Sequence, residues 1–341
     1  MDGLHRRPAR LGDVARAAGV HVSTASRVLN GSTGISIRPE TRERILVVAR
    51  ELAYRPNAIG RSLKTSTTGA LGLLVPSLRN PVLSAIVRGA FERAWERGFV
   101  LMVAEDTSDS AAQGAYERLV EEGRIDGLLV TSARPGSPAL DRFANSAVPT
   151  IFVNRRHASS NRNVVMREED AGATAAEHLL GYGHRRLAHL AGPPELDTAQ
   201  RRLDGFLAAA RAAGVEPAVT HAAFDEHAGF AAMQDLLARE PRPTAVFVSN
   251  INQLVGALAG ARAQGLRVPA DVSVVAYDDD PVAEFLDPPV TTIRMPLFEL
   301  GVRGVDALVD QFEGGAPQDI VLQTPPELVA RKSVAPPGEL P

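Results

Sequence analysis

The sequence predicts two folds on one chain: an all-α helix-turn-helix head, and an α/β body built from two doubly wound parallel-sheet subdomains. Three observations carry this. In "DVARAAGVHVSTASRVLNG" (13–31), small apolar residues recur at helical spacing on both sides of a glycine. From Gly69 onward the pattern turns to apolar runs of strand length alternating with longer amphipathic stretches. The charge also splits: residues 1–68 hold 12 Lys and Arg against 5 Asp and Glu, a net +7, whereas the rest holds 25 against 35, a net −10.

In the head, Val14, Ala15 and Ala18 share one face of a first helix, and Gly19 supplies the left-handed residue that ends it. A second helix runs from Val22 to Leu29. Ala25, Val28 and Leu29 face inward, and Ser23, Thr24, Ser26, Arg27 and Asn30 point largely outward. Small alanines let two short helices cross closely, and the second is then presented as a rod that fits a major groove about 12 Å wide. A third helix opens at Pro39 with "ETRERILVVARELAY", in which Ile45, Val48, Ala49 and Leu52 close the core. "YRPNAIGRSLKTS" follows: Pro56 stops the preceding helix, and 57–64 is long enough for only two marginal turns. Leu63 stands there as an apolar side chain among Arg61, Ser62 and Lys64, either an anchor onto the body or a wedge between base steps. The basic excess itself points to a polyanion, nucleic acid first.

In the body, "GALGLLVP", "FVLMVAE", "IDGLLVT", "PTIFVNR", "LAHLAG", "AVFVSN" and "VSVVAYDD" read as strands buried on both faces, with helices between. Open parallel sheets bind ligands beyond the carboxyl ends of their strands. The informative residues are therefore Ser77, Asn80, Thr131, Asn154, Arg155, Asn250 and Asp278.

Several functions are disfavoured by what the 341 residues contain. Cysteine is absent, which removes disulfides, thiol catalysis and Cys-based zinc sites. No apolar run reaches the roughly 18 residues of a membrane helix, and the N-terminus carries no apolar signal core, so a cytoplasmic location is expected. There is no P-loop and no His-Glu-x-x-His, and "GYGHRR" is a fragment of a dinucleotide loop. The carboxylates of "YDDDPVAE" adjoin on one loop and do not oppose each other across a bond. No catalytic residue, metal or cofactor is expected.

"DVARAAGV", "STASRVLNG", "ETRERI" and "YRPNAIGRSL" resemble, piece by piece, the DNA-binding headpiece and hinge of the LacI/GalR (lactose-repressor) family of bacterial regulators. "GHRRLAHLAGP", "RRLDGF", "GLRVPADVSVVAYDD", "PPVTTIR" and "ELVARKSVAPP" extend the resemblance over the body, which then is similar to periplasmic sugar-binding proteins. The resemblance implies a headpiece over 1–55, a hinge over 56–68, an effector and dimerisation domain over 69–336, and a tail over 337–341. Within the domain, an N-subdomain takes about 69–166 and 296–324, and a C-subdomain about 167–293 and 325–336.

It also implies roles. Val22, Ser23 and Arg27 read base edges, Thr24, Ser26 and Asn30 support or contact the backbone, Asn57 and Arg61 belong to the DNA-contacting hinge, and Leu63 is the intercalating leucine. Arg202 and Asp278 bracket ligand hydroxyls, with Asn250 beside them, Thr131 and Asn154 facing them, and Phe224 stacking on the ligand; Ser77 and Asn80 join the effector site by their place at a strand end. The less favoured readings are that Arg202 is a surface ion-pair partner and Asp278 a strand-end cap.

The expected protein is a ligand-responsive repressor of carbohydrate-related genes that binds a near-palindromic operator as a homodimer, with a sugar or sugar derivative as effector. Alternatives are the solute-binding protein of a sugar transporter, opposed by the basic head, and a carbohydrate-active enzyme. The sequence departs from the family pattern at Arg10 and His21, which stand where helix-capping hydroxyls are usual. It also departs at the extra Ile37-Arg38, at Ile251 in place of Asp, and at Asn154, which is often Asp.

Overall fold

The structure, a computed structural model, describes residues 9–29, 37–54, 67–78, 80–106, 120, 122–133, 138–144 and 148–338. Asn30, Asn57, Arg61 and Leu63 lie outside the described residues, as does most of the expected hinge. The chain divides into two compact units, 1–69 and 70–341.

The first unit holds α1 (Leu11–Ala17), α2 (Val22–Leu29) and α3 (Pro39–Glu51). Val14, Ala15, Ala18, Ala25, Val28, Ile45 and Ala49 form its core, with Leu29 and Val48 partly buried against them. Gly19 takes φ +61 between the first two helices, where a side chain would be strained. Arg44 Nε donates to the Ala18 carbonyl at 3.0 Å, tying α3 to the turn. Asp13 reaches back to the Arg10 N–H at 2.9 Å, so the first helix keeps half of a capping box without a hydroxyl at its start. Leu52 is 39% exposed and does not join the core: α3 ends at Glu51, and Leu52 is the residue on which the helical phase stops.

In the second unit, β1 (Ala70–Val75), β2 (Val100–Glu105), β3 (Gly127–Val130), β4 (Thr150–Val153), β5 (Asn163–Val165) and β11 (Ile320–Val321) form one sheet in the order β11-β5-β4-β3-β1-β2. β6 (Leu187–Ala191), β7 (Ala218–His221), β8 (Ala245–Val248), β9 (Ser273–Tyr277), β10 (Thr291–Arg294) and β12 (Glu327–Val329) form the other, as β12-β10-β9-β8-β6-β7. The orders match position for position. Every pairing is parallel except β10 with β12. In each sheet the order reverses once, between β1 and β3 and between β6 and β8, which is where a doubly wound sheet opens a crevice. Among the described residues no helix is long and apolar enough to cross a membrane.

The helices of this unit are α4 (Val82–Glu96), α5 (Pro138–Ala144), α6 (Glu168–Gly181), α7 (Asp197–Ala212), α8 (Glu226–Leu237), α9 (Ile251–Ala263), α10 (Val282–Phe285) and α11 (Leu297–Phe312). Three pairs pack through facing glycines: Gly89 with Gly301, Gly172 with Gly205, and Gly229 with Gly256. A Cβ at Gly205 would stand 1.8 Å from the Glu169 carbonyl oxygen, and one at Gly172 2.0 Å from that of Arg202, far inside contact distance. Gly205→Ala therefore forces α6 and α7 apart and is expected to cost about 1–3 kcal/mol, measured by thermal denaturation.

β2 differs from the expected two-sided burial. Val100 is 60% exposed, and Met102 and Val103 are also exposed, because β2 is the edge strand of its sheet. Beside it in sequence, Phe91 and Trp95 of α4 are exposed as well, Trp95 at 71%.

Candidate functional sites

On the head, α2 offers an outward face of short polar side chains. Val22, Ser23 and Arg27 are exposed, Thr24 and Ser26 half-buried, and no acidic residue occurs on the helix. His21 precedes it and restores the cap that its position lacks by type. Its carbonyl accepts from the Thr24 and Ala25 N–H groups at 2.9 and 3.2 Å, and its Nδ1 accepts from the Ser23 N–H at 3.3 Å. Arg38, the second of the two extra residues, is exposed just ahead of α3.

In the body, the residues singled out at strand ends fall into two groups. Ser77, Asn80 and Phe224 line a cleft of about 600 Å³ together with Pro76, Arg155 and Glu195, so both sheets contribute to its wall. The Phe224 ring lies directly over Gly192, where any side chain would displace it. Asn80 Oδ1 accepts from the Val82 N–H at 3.1 Å at the start of α4.

The second group gathers beyond β8 and β9. Arg202 is buried and bound on three sides: Nη2 and Nε donate to Glu168 Oε2 at 2.9 and 3.2 Å, Nη1 donates to the Ser249 carbonyl, and the guanidinium lies 3.2 Å from the Tyr277 ring centre. Tyr277 Oη donates to the other Glu168 oxygen at 2.9 Å. Burial opposes the charge on Arg202, but Glu168 holds its pKa far above the ordinary value, while burial and the Glu168 charge push the Tyr277 phenol up.

Asn250 caps α9, its Oδ1 accepting from the Gln253 N–H at 2.8 Å. Asp278 is buried, its carboxylate receives the Ile251 N–H, and its Oδ1 has no hydrogen-bond partner among the described residues. Burial pushes its pKa up to about 7; Arg202 opposes that shift and Glu168 adds to it.

Asn154 follows β4 and Asp278 follows β9, equivalent places in the two sheets, and both are left-handed, with φ +74 and +77. Asn and Asp tolerate that conformation better than other side chains, at a cost that recurs at functional sites. Thr131 is wholly buried, with Oγ1 donating to the Leu74 carbonyl at 3.0 Å, so its hydroxyl is engaged between β3 and β1.

Glu168 and Tyr277 are the residues that sequence reasoning missed. Glu168 is the first of three consecutive acids, with only the phase of α6 to distinguish it, and Tyr277 reads as the last apolar residue of a strand. Among the described residues no group of three His, Asp or Glu side chains is placed to hold a metal ion.

Residues 10–57 match the model for bacterial regulatory proteins of the lacI family, and residues 176–334 match the periplasmic binding protein-like domain. The chain is 31% identical over 331 residues to the HTH-type transcriptional repressor PurR of Pasteurella multocida, covering 96% of this chain and 98% of the relative. Its fold is similar to that of the lac repressor dimer bound to operator and the anti-inducer ONPF, with TM-score 0.85 and 30% identity, over 96% of this chain and all of the other. It is also similar to the transcriptional regulator CelR in complex with cellobiose, with TM-score 0.73 and 32% identity, over 95% and 99% of the two chains.

Proposed function

The chain belongs to the lacI family of bacterial regulatory proteins and is a DNA-binding transcriptional repressor; from that premise we propose that it binds a near-palindromic operator as a homodimer and releases or engages it in response to an uncharged, hydroxyl-bearing effector. The outward face of α2 carries the proposal for DNA: one guanidinium and several short hydroxyls stand on a helix with no acid to repel phosphate. Val22, Ser23 and Arg27 take the base edges, and Thr24 and Ser26 the backbone. Asn30, Asn57, Arg61 and Leu63 complete the interface in this reading. A target of genomic DNA implies a cytoplasmic protein in this reading.

Two heads are needed to read two half-sites, and the exposed apolar side chains of α4 and β2 supply a surface for a second copy. Phe91 and Val103, which share one groove, and Trp95, one helical turn on from Phe91, are its centre, with an open strand edge beside them.

For the effector, the paired state of Arg202 decides the charge class. With Glu168 cancelling it, Arg202 offers a phosphate no free charge, and Asn80, Asn252, Ser77 and Phe224, which line the cleft, suit a sugar, whose hydroxyls and C–H face meet amides and a ring. A purine base is the second reading, favoured by the PurR name of the relatives.

Fluorescence anisotropy with full-length protein and operator DNA tests the DNA part. Affinity is expected to fall steeply between 50 and 300 mM salt, on the order of 10³-fold or more for several phosphate contacts. Arg27→Ala should remove sequence preference, and Trp95→Glu should yield a monomer in sedimentation that no longer holds a palindrome. Equal binding at both salt concentrations defeats the reading. Thermal-shift screening of sugars, phosphosugars and purine bases sorts the effectors, since a ligand at 100 times its Kd adds about 2.7 kcal/mol of stability.

A further inference from the structure

His21 does more than replace a missing hydroxyl. Its Nδ1 receives the Ser23 backbone N–H at 3.3 Å, and an acceptor nitrogen carries no proton. In the tautomer with its proton on Nε2, the ring offers that lone pair to the start of α2. Ser23 Oγ stands 2.8 Å from the same Nδ1. In this tautomer the hydroxyl is the donor, and its one proton is turned toward the histidine. What Ser23 has left is lone pairs.

A serine facing base edges ordinarily serves either polarity, because its hydroxyl rotates to donate or accept. Here turning the hydroxyl to donate costs its hydrogen bond to His21 within the same helical turn. We propose that His21 is a specificity-determining residue for operator recognition: by accepting the Ser23 hydroxyl proton it biases Ser23 toward accepting, so that the base under Ser23 is preferred when it presents an amino group, N6 of adenine or N4 of cytosine, in the major groove. The inference rests on α2 being the helix that reads DNA. It concerns a residue whose own side chain need not touch the base, and it converts a helix cap into a filter on the partner's hydrogen-bonding polarity.

The test uses full-length protein. Operators are selected from a randomised palindromic library and their base preferences read by sequencing. Ser23→Ala locates the base pair under Ser23 as the position whose preference collapses. His21→Ser restores an ordinary capping hydroxyl and keeps the helix start, which thermal denaturation checks. At that base pair the wild type is expected to favour the amino-bearing base, and His21→Ser to weaken the preference by on the order of fivefold, the worth of one hydrogen bond, with the other positions unchanged.

An unchanged preference in His21→Ser overturns the proposal, and so does a long-range ¹H–¹⁵N spectrum of histidine-labelled protein that places the His21 proton on Nδ1. Arg27→Ala separates the two levels of the argument. If it binds operator with full affinity and preference, α2 is not the reading helix and the proposal falls with it; if it loses recognition while His21→Ser changes nothing, only the role of His21 is wrong.

Discussion

Arg202→Met in the full-length protein is expected to lower the unfolding free energy of the body by about 3–5 kcal/mol, because it leaves the Glu168 carboxylate buried without its counter-charge. Glu168 is 1% exposed and Arg202 4%, so water cannot replace the lost guanidinium. Tyr277 Oη remains as a donor to Glu168, but a neutral donor does not compensate a buried charge. Glu168→Gln combined with Arg202→Met removes both charges and is expected to recover most of the loss. Urea denaturation of the three proteins at pH 7.5 checks this. A deficit below 1 kcal/mol for the single variant means the pair is solvated, and Arg202 then has its charge available for a ligand.

That result bears on what a sequence can display. Arg202 stands out in "RRLDGF", and the strand-end rule leads to Asn250 and Asp278, but the partner that decides what Arg202 does is hidden in "REED". Glu168, Glu169 and Asp170 all sit in the first turn of α6 and read alike as solvated acids. Only the close crossing of α6 on α7, through Gly172 and Gly205, turns one of them inward. β2 was expected to be buried on both faces and is exposed, because an apolar run has the same appearance in an inner strand and at a sheet edge. The head was more legible. Its alanine spacing and Gly19 specify two close helices, since few other sequences let them approach, and α2 occupies Val22–Leu29. The imidazole cap at His21 was not readable, because histidine is seldom a capping residue and its role depends on which ring nitrogen holds the proton.

Asp278→Asn is expected to stabilise the ligand-free body at pH 8 and to weaken effector binding at the same time. The wild-type carboxyl has a pKa of about 7 in the folded chain against 3.8 for the free side chain. Below pH 4 both states are protonated and the residue is neutral in stability. As pH rises from 4 to 7 the unfolded chain gives up this proton and the folded one keeps it, so stability falls across that window and is level above it. Each pKa unit is worth about 1.4 kcal/mol, and the whole penalty is about 4 kcal/mol.

Asparagine keeps an acceptor for the Ile251 N–H and carries no charge, so the difference in unfolding free energy between variant and wild type should open over pH 4–7. A flat difference would show that Asp278 is solvated. The penalty has a use if Asp278 holds the effector: a ligand hydroxyl donated to the unpartnered Oδ1 stabilises the carboxylate, and binding then expels the proton. Calorimetry at pH 6.5 in buffers of different ionisation enthalpy should register release of roughly three quarters of a proton per site for the wild type and none for Asp278→Asn. Equal proton release by both proteins would take Asp278 out of the effector site, and the strain and desolvation stored there would need another explanation.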